Sequence, residues 1–268
     1  MNIRILAFVV LFSVTISASA QQEQTYSHLG EFGLSAGLGQ YFGDINPSAI
    51  KIRKQFATGV FYLRQVNNYI SLKASGHYSF LSSSDVNSKN DFQHTRNLSF
   101  NTDVWEASVS ANFNFLKFYP QLEEYRFTPY LSLGIGAINF NPYTYIGDNK
   151  VYLRNYKTEG QETPYSSFAM VIPMGIGVKY NISNRVNIFS EIIYRFTSTG
   201  YLDDVNGTYA GAENFTDPVA LKLQDKSYVY GNPIGKKGTQ RGNGKNDSYA
   251  SFEVGISFNL EGYNCPGY

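Results

Sequence analysis

Charge is what this 268-residue sequence has least of. Asp, Glu, Lys and Arg make up only 16% of it, against roughly 25% in an average soluble domain. Its 22 basic and 21 acidic side chains nearly cancel, leaving +1. With no basic stripe along the chain, there is no electrostatic case for a nucleic-acid partner. Metal-ligand spacing is absent, and nothing in the pattern calls for a cofactor. Gly37 and Gly39, like Gly134 and Gly136, are not phosphate loops, because they lie inside strand-like segments with no helix following. After residue 20 no apolar run approaches the roughly 20 residues that a membrane helix needs.

What the chain has in quantity is aromatic residues, 16% of the total, with 22 Tyr and 20 Phe. Its start reads as a secretory signal peptide: Arg4, then the apolar run Ile5 to Ile16, then the small-x-small site Ala18-Ser19-Ala20. No cysteine follows the cut, which argues against a lipid-anchored N-terminus. The expected division is therefore a signal peptide at 1–20, a barrel at 21–260 and a periplasmic tail at 261–268.

Period-two alternation over segments of ten residues or more is the main signal. In the last segment Ala250, Phe252, Val254, Ile256, Phe258 and Leu260 fall on one face, with Ser251, Glu253, Gly255, Ser257 and Asn259 on the other. Similar segments fall at about 29–42, 54–65, 69–81, 103–116, 127–140, 165–180 and 185–198. The second is the weakest, setting Ala57, Phe61 and Leu63 against Thr58, Tyr62 and Arg64. Soluble strands usually run about 5–6 residues. Eight longer ones, with aromatics near their apolar ends, predict an all-β fold: an eight-stranded antiparallel transmembrane β-barrel in the outer membrane of a Gram-negative bacterium.

The polar face carries Glu31, Glu106, Glu191 and Glu253 together with Arg64, Lys73, Lys179 and Arg195. Eight strands enclose a space that side chains fill. The four acids and four bases are therefore expected to neutralise one another there, forming a plug, and Glu191→Ala is expected to destabilise it. His77 is expected inside as well. Short connections follow the second, fourth and sixth strands and long ones the others, which predicts short periplasmic turns, long external loops and both termini in the periplasm. The longest loop, 199–247, is rich in Gly, Asn and Lys and predicts a mobile, solvated segment that could also serve as a binding loop. Asp91, His94 and Asp103 could form an acid–base cluster near the outer surface, but acids and a histidine in a polar loop more often mean solvation. No catalytic signature stands out, so a non-enzymatic role is expected. Cys265 is the sole cysteine; a lone thiol outside the cytoplasm is open to intermolecular pairing or is simply a free group in a frayed terminus.

The chain carries Glu31-Phe32-Gly33-Leu34-Ser35-Ala36-Gly37-Leu38-Gly39 running into Gln40-Tyr41-Phe42-Gly43-Asp44-Ile45, Thr128-Pro129-Tyr130 through Gly136 followed by Phe140-Asn141-Pro142, Ala169 through Lys179, Glu191 through Thr197, Tyr201-Leu202-Asp203-Asp204-Val205, and the Cys265-Pro266 tail. In order and spacing these segments resemble the PorG-type barrels of the type IX secretion system. The resemblance spans nearly all of the mature chain except the long loops. It implies a non-enzymatic outer-membrane component of that secretion system. Such a barrel anchors or contacts a periplasmic ring made of a lipoprotein and its partner, of the PorK/PorN or GldK/GldN type. Under this reading the periplasmic turns and the tail residues Tyr263, Cys265 and Pro266 would touch the ring. The competing reading is a stand-alone surface barrel that binds a ligand or host molecule through its long loops.

Overall fold

The computed structural model describes residues 30–45, 55–119, 123–183, 185–231 and 233–260. Eight long strands form the wall: β1 (Gly30–Phe42), β2 (Phe56–Gln65), β3 (Ile70–Ser84), β4 (Ser99–Asn114), β5 (Phe127–Phe140), β8 (Phe168–Ser183), β9 (Val186–Thr197) and β10 (Ser248–Leu260). Their order is β3-β2-β1-β10-β9-β8-β5-β4, and β3 also pairs with β4, so the sheet closes. All these pairings are antiparallel. Closure leaves no unpaired strand edge, which hydrocarbon would not tolerate. A small hairpin, β6 (Tyr143–Ile146) and β7 (Asn149–Tyr152), extends the wall beyond β4 through an Asn101–Tyr143 pairing.

Alternation sets which side chains face out. Along β8, Phe168, Met170, Ile172, Met174, Ile176, Val178 and Tyr180 are exposed while Val171, Pro173, Gly175, Gly177 and Lys179 are buried. The other wall strands largely repeat this, so most of the circumference is aliphatic or aromatic. Soluble monomers rarely expose apolar patches beyond a few hundred Å²; a continuous apolar band around a closed barrel is a membrane surface. Rings cluster at both rims of the band. Trp105 packs on Tyr78 at 4.7 Å and Phe56 on Phe80 at 5.8 Å toward the loop end, and Phe113 on Phe115 at 5.4 Å toward the short turns. Among the described residues no helix is long and apolar enough to cross a membrane. This chain crosses with strands.

In β2 the faces are the reverse of the expectation. Phe56, Thr58, Val60, Tyr62 and Arg64 point out, whereas Ala57 and Leu63 are buried and Phe61 half-buried inside. Both phases of this strand are apolar, so its own pattern cannot choose between them. Register chooses: Tyr62 lies opposite the outward Phe32, and Phe61 lies opposite Gly33. Arg64 consequently leaves the lumen. Placed next to the β2–β3 turn, its guanidinium can reach the polar edge of the membrane. Gly33 gives Phe61 its room, since a Cβ there would overlap the Phe61 ring.

The second departure is at the loop end. β3 continues past the expected limit at Leu81 to Ser84, and β4 starts at Ser99, ahead of the expected Asp103. In this extension the inward residues turn apolar. Tyr41, Leu81, Phe100, Val104, Ile138, Phe140, Val171 and Tyr249 form one cluster with Ile45, Leu98, Leu153, Leu202, Val205 and Leu223 from the connections. The segment 199–247, expected to be a mobile solvated loop, is a packed cap. Leu202, Val205, Tyr209, Leu223 and Arg241 are all buried in it. Its Gly and Asn residues make the tight turns of a folded segment. A few scattered large apolar residues supply the core, which a compositional reading undercounts.

Leu133, exposed near the middle of β5, lies on the band that should face lipid. Leu133→Arg should lower the urea stability of the barrel in lipid vesicles by about 2–4 kcal/mol, whereas an exposed site facing water would move by no more than about 0.5 kcal/mol.

Candidate functional site

The lumen is filled by three polar layers. Nearest the short turns, Lys179 Nζ donates to Glu31 at 2.9 Å and Ser257 donates to the same carboxylate at 3.0 Å. Below it Asn187 links Asn181, Ser257 and Asn259. Phe118, from the β4–β5 turn, is buried with its ring 5.3 Å from the Lys179 ammonium. The middle layer joins Lys73 Nζ to Glu191 at 3.1 Å, and Ser132 donates to Glu191 at 2.9 Å. Beside it, Phe61 and Phe189 meet edge to face at 5.4 Å.

In the third layer Arg195 Nε donates to Glu106 at 2.6 Å, and its Nη2 lies 3.6 Å from Glu253. His77 Nε2 lies 2.8 Å from Glu253, and the Tyr249 hydroxyl donates to Glu106 at 3.0 Å. Glu253 and Glu191 sit directly opposite each other on β10 and β9. Like charges in that position repel; here each carboxylate turns to a different cation. All these ionic side chains are at most about a tenth exposed. A cavity of about 40 Å³ remains among Lys73, His77, Glu106, Glu191, Arg195 and Glu253. That is room for a few water molecules.

Seven of the eight charged residues expected in the lumen are therefore there: Glu31, Lys73, Glu106, Lys179, Glu191, Arg195 and Glu253. Arg64 is not, and His77 stands where a fourth base was expected. Ser79, His77 and Glu253 are in contact, with Ser79 Oγ 3.3 Å from His77 Nδ1. The residue types are those of a hydrolytic triad, yet Ser79 is buried, 1% exposed, among the described residues. The proposed surface cluster does not assemble. His94 stacks on Tyr230, Asp103 accepts from Tyr78 at 2.6 Å, and Asp91 opens the short helix Asp91–Arg96. Tyr263, Cys265 and Pro266, like the signal-peptide segment, lie outside the described residues. Among the described residues no group of three or more His, Cys, Asp or Glu is placed to hold a metal ion.

The cap holds two buried arginines that the sequence did not single out. Arg96 donates through Nε and Nη2 to Asp85 at 2.7 and 3.0 Å, and to the backbone oxygens of Asp44 and Arg241. Arg241 reaches Glu159 at 3.1 Å, Asp204 at 3.4 Å and the Asp204 backbone oxygen at 2.6 Å. Burial raises the Asp204 carboxyl above the usual carboxylate range, against the pull of Arg241. Burial also lowers the Lys226 amine to about 8, and the Arg241 charge adds to it. The only hint of this in the sequence is that Arg241 lies in a glycine-rich run, which reads equally well as solvated. Among the described residues the lumen thus ends in a hydrophobic cap on one side and in Phe118 and an asparagine ladder on the other.

Residues 4–230 match the profile of a family described as "Domain of unknown function (DUF6089)". The chain belongs to this family. No curated protein matches it with significance. Among solved structures, this DUF6089 chain is similar to Neisserial surface protein A (NspA), at 11% identity over 86% of this chain and 97% of that one, TM-score 0.46. OprG from Pseudomonas aeruginosa is similar at 10% identity, over 88% and 98%, TM-score 0.39. Ail of Yersinia pestis is similar at 10% identity, over 86% and 99%, TM-score 0.37. The DUF6089 chain is an outer-membrane β-barrel by its own closed sheet and apolar band.

Removing one lumen partner leaves the other charge buried and unpaired. Glu191→Ala should cost about 3–5 kcal/mol, whereas the paired replacement Lys73→Met with Glu191→Leu should come close to the parent. Urea unfolding of the refolded barrel, followed by its heat-modifiable gel shift, distinguishes the two.

Proposed function

We propose that this barrel is a non-enzymatic, non-conducting component of the type IX protein secretion system, anchoring or contacting its periplasmic ring. The observation that carries the reading is the lumen, which is closed by ionic layers, by Phe118 at one end and by the cap at the other. A barrel filled in this way serves as a fixed point in the membrane. The PorG-type resemblance supports the choice of machine. Its Tyr41-x-Gly43-Asp44-Ile45 and Tyr201-Leu202-Asp203-Asp204-Val205 segments are both structural joints of the cap, so they serve the fold of such barrels. The ring contact belongs to the short-turn end, set in the periplasm with both termini, and to the tail residues Tyr263, Cys265 and Pro266. The ring's lipoprotein and its partner, of the PorK/PorN or GldK/GldN type, are the proteins expected to bind there.

A second reading, surface binding through the loops, has one observation in its favour. The cap exposes Phe92, Tyr228, Val229 and Tyr230, with Val229 61% exposed. Such a cluster suits a ligand or host molecule.

Purification of the tagged barrel from its own outer membrane, in mild detergent without reductant, decides between them. Co-purification of a ring lipoprotein and its periplasmic partner is the expected result, reduced in Cys265→Ser if a disulfide contributes. Recovery of the barrel alone, under conditions that keep ring complexes intact, would overturn the secretion reading and turn attention to the cap. In planar bilayers the purified protein should show no steady conductance.

A further inference from the structure

The two segments singled out by resemblance meet in space, and what they build is an acid-rich joint between barrel rim and cap. From β1 and the residues after it come Tyr41, Asp44 and Ile45; from the start of the long segment come Leu202, Asp203 and Val205; from its end comes Asp247. Asp203 accepts the backbone N–H groups of Ile45 and Val205, each at 2.9 Å. Asp247 accepts the Leu202 N–H at 2.9 Å and the Tyr41 hydroxyl at 2.7 Å. Asp44 Oδ1 accepts the Asn243 N–H at 2.9 Å, while its Oδ2 accepts no hydrogen bond among the described residues. Gly43 is fixed by this packing, because a Cβ there would overlap both the Tyr41 hydroxyl and Asp247.

Among the described residues the charges around the joint do not balance. Seven of their carboxyl groups are buried in the cap and rim: Asp44, Asp85, Glu159, Asp203, Asp204, Asp247 and Asp225, the last accepting from Ser227 and the Gly235 N–H. The bases facing them are Arg96 from the helix Asp91–Arg96, and Arg241 and Lys226 from the long segment. Arg96 is committed to Asp85, and Arg241 to Glu159 and Asp204. Among the described residues, Asp44, Asp203 and Asp247 are left with no cation bonded to their carboxyls. Asp203 also reaches the Tyr41 hydroxyl, which carries a single proton and donates it to Asp247. A second carboxyl against that hydroxyl needs a proton of its own.

We propose that this joint is a proton-held latch: Asp44, Asp203 and Asp247 fasten the cap to the rim while they share protons, and release it as they ionise. Burial, reinforced by the neighbouring carboxylates, lifts Asp44 to about 6, Asp203 to about 7 and Asp247 well above the usual carboxylate range. Carboxyls held higher in the folded state than in the unfolded one stabilise it at low pH. That contribution is lost as pH rises through the folded values. The cap is therefore tightest in mild acid and loosens through neutral to alkaline pH. The proposal is independent of the secretion reading.

The test is hydrogen exchange by mass spectrometry on the full-length barrel in detergent or nanodiscs, between pH 5.5 and 8.5, corrected for the intrinsic pH dependence of exchange. Protection of residues 199–206 and 241–247, which carry the Leu202, Val205 and Asn243 amides, is expected to fall at least tenfold, with β9 and β10 unchanged. Asp44→Asn keeps the bond to the Asn243 amide and removes one charge, so it should move the loss to higher pH. Asp203→Asn should do the same more strongly; if it fails to fold, Asp44→Asn alone decides. Flat protection in the parent overturns the proposal. An unshifted profile in Asp44→Asn also overturns it, because the titrating group would then lie elsewhere.

Discussion

A charge inside a lumen too narrow for bulk water must find its partner across the barrel, and most of this structure follows from that requirement. Glu31 reaches from β1 to Lys179 on β8, Glu191 from β9 to Lys73 on β3, and Glu106 from β4 to Arg195 on β9. Each pair ties strands that are not neighbours in the sheet. The ion pairs therefore hold the cross-section of the barrel as well as neutralise it. Breaking one is costly because the abandoned partner has nowhere to go, while the pairs themselves add little net stability over a well-packed apolar filling. Their consequence is a defined, closed interior.

The outside obeys the opposite requirement. Backbone polar groups are consumed within the closed sheet, and outward side chains are apolar around most of the circumference. Where the wall passes beyond this band the inside also changes character. Lumen serines, carboxylates and lysine give way to Leu81, Phe100, Val104, Ile138 and Phe140, which hold the cap as the core of a soluble domain would. One strand can thus carry two environments in succession. β4 has Glu106, Ser108, Ser110 and Asn112 facing the lumen and Phe100 and Val104 facing the cap. The cap brings buried charge with it, and among its described residues carboxyls outnumber bases, which is the imbalance that the proposed latch uses.

What could be read from the chain alone depended on whether a residue's environment was set locally. The strongly alternating strands β4, β8, β9 and β10 were legible within a few residues, because one face is almost wholly apolar and the other polar. β2 was not: Phe56, Val60 and Tyr62 compete with Ala57, Phe61 and Leu63, and only the register against β1 settles which set faces lipid. Arg64 was misplaced for that reason alone. Seven lumen charges were identifiable as inward, but their pairing was not, since Lys73 and Glu191 are far apart in sequence. The cap is not legible in the sequence, because Arg241, Asp203 and Asp204 look like solvated loop residues until Arg96, Glu159 and Asp85 from other connections close around them.

By itself, then, the sequence determined a barrel with an apolar outside, a polar inside and eight long strands, because period-two alternation is a local property of the chain. Tertiary structure alone decided the phase of β2, the partner of each buried charge and the folding of residues 199–247 over the rim. Those outcomes depend on contacts between segments distant in sequence, and no pattern within one segment records them.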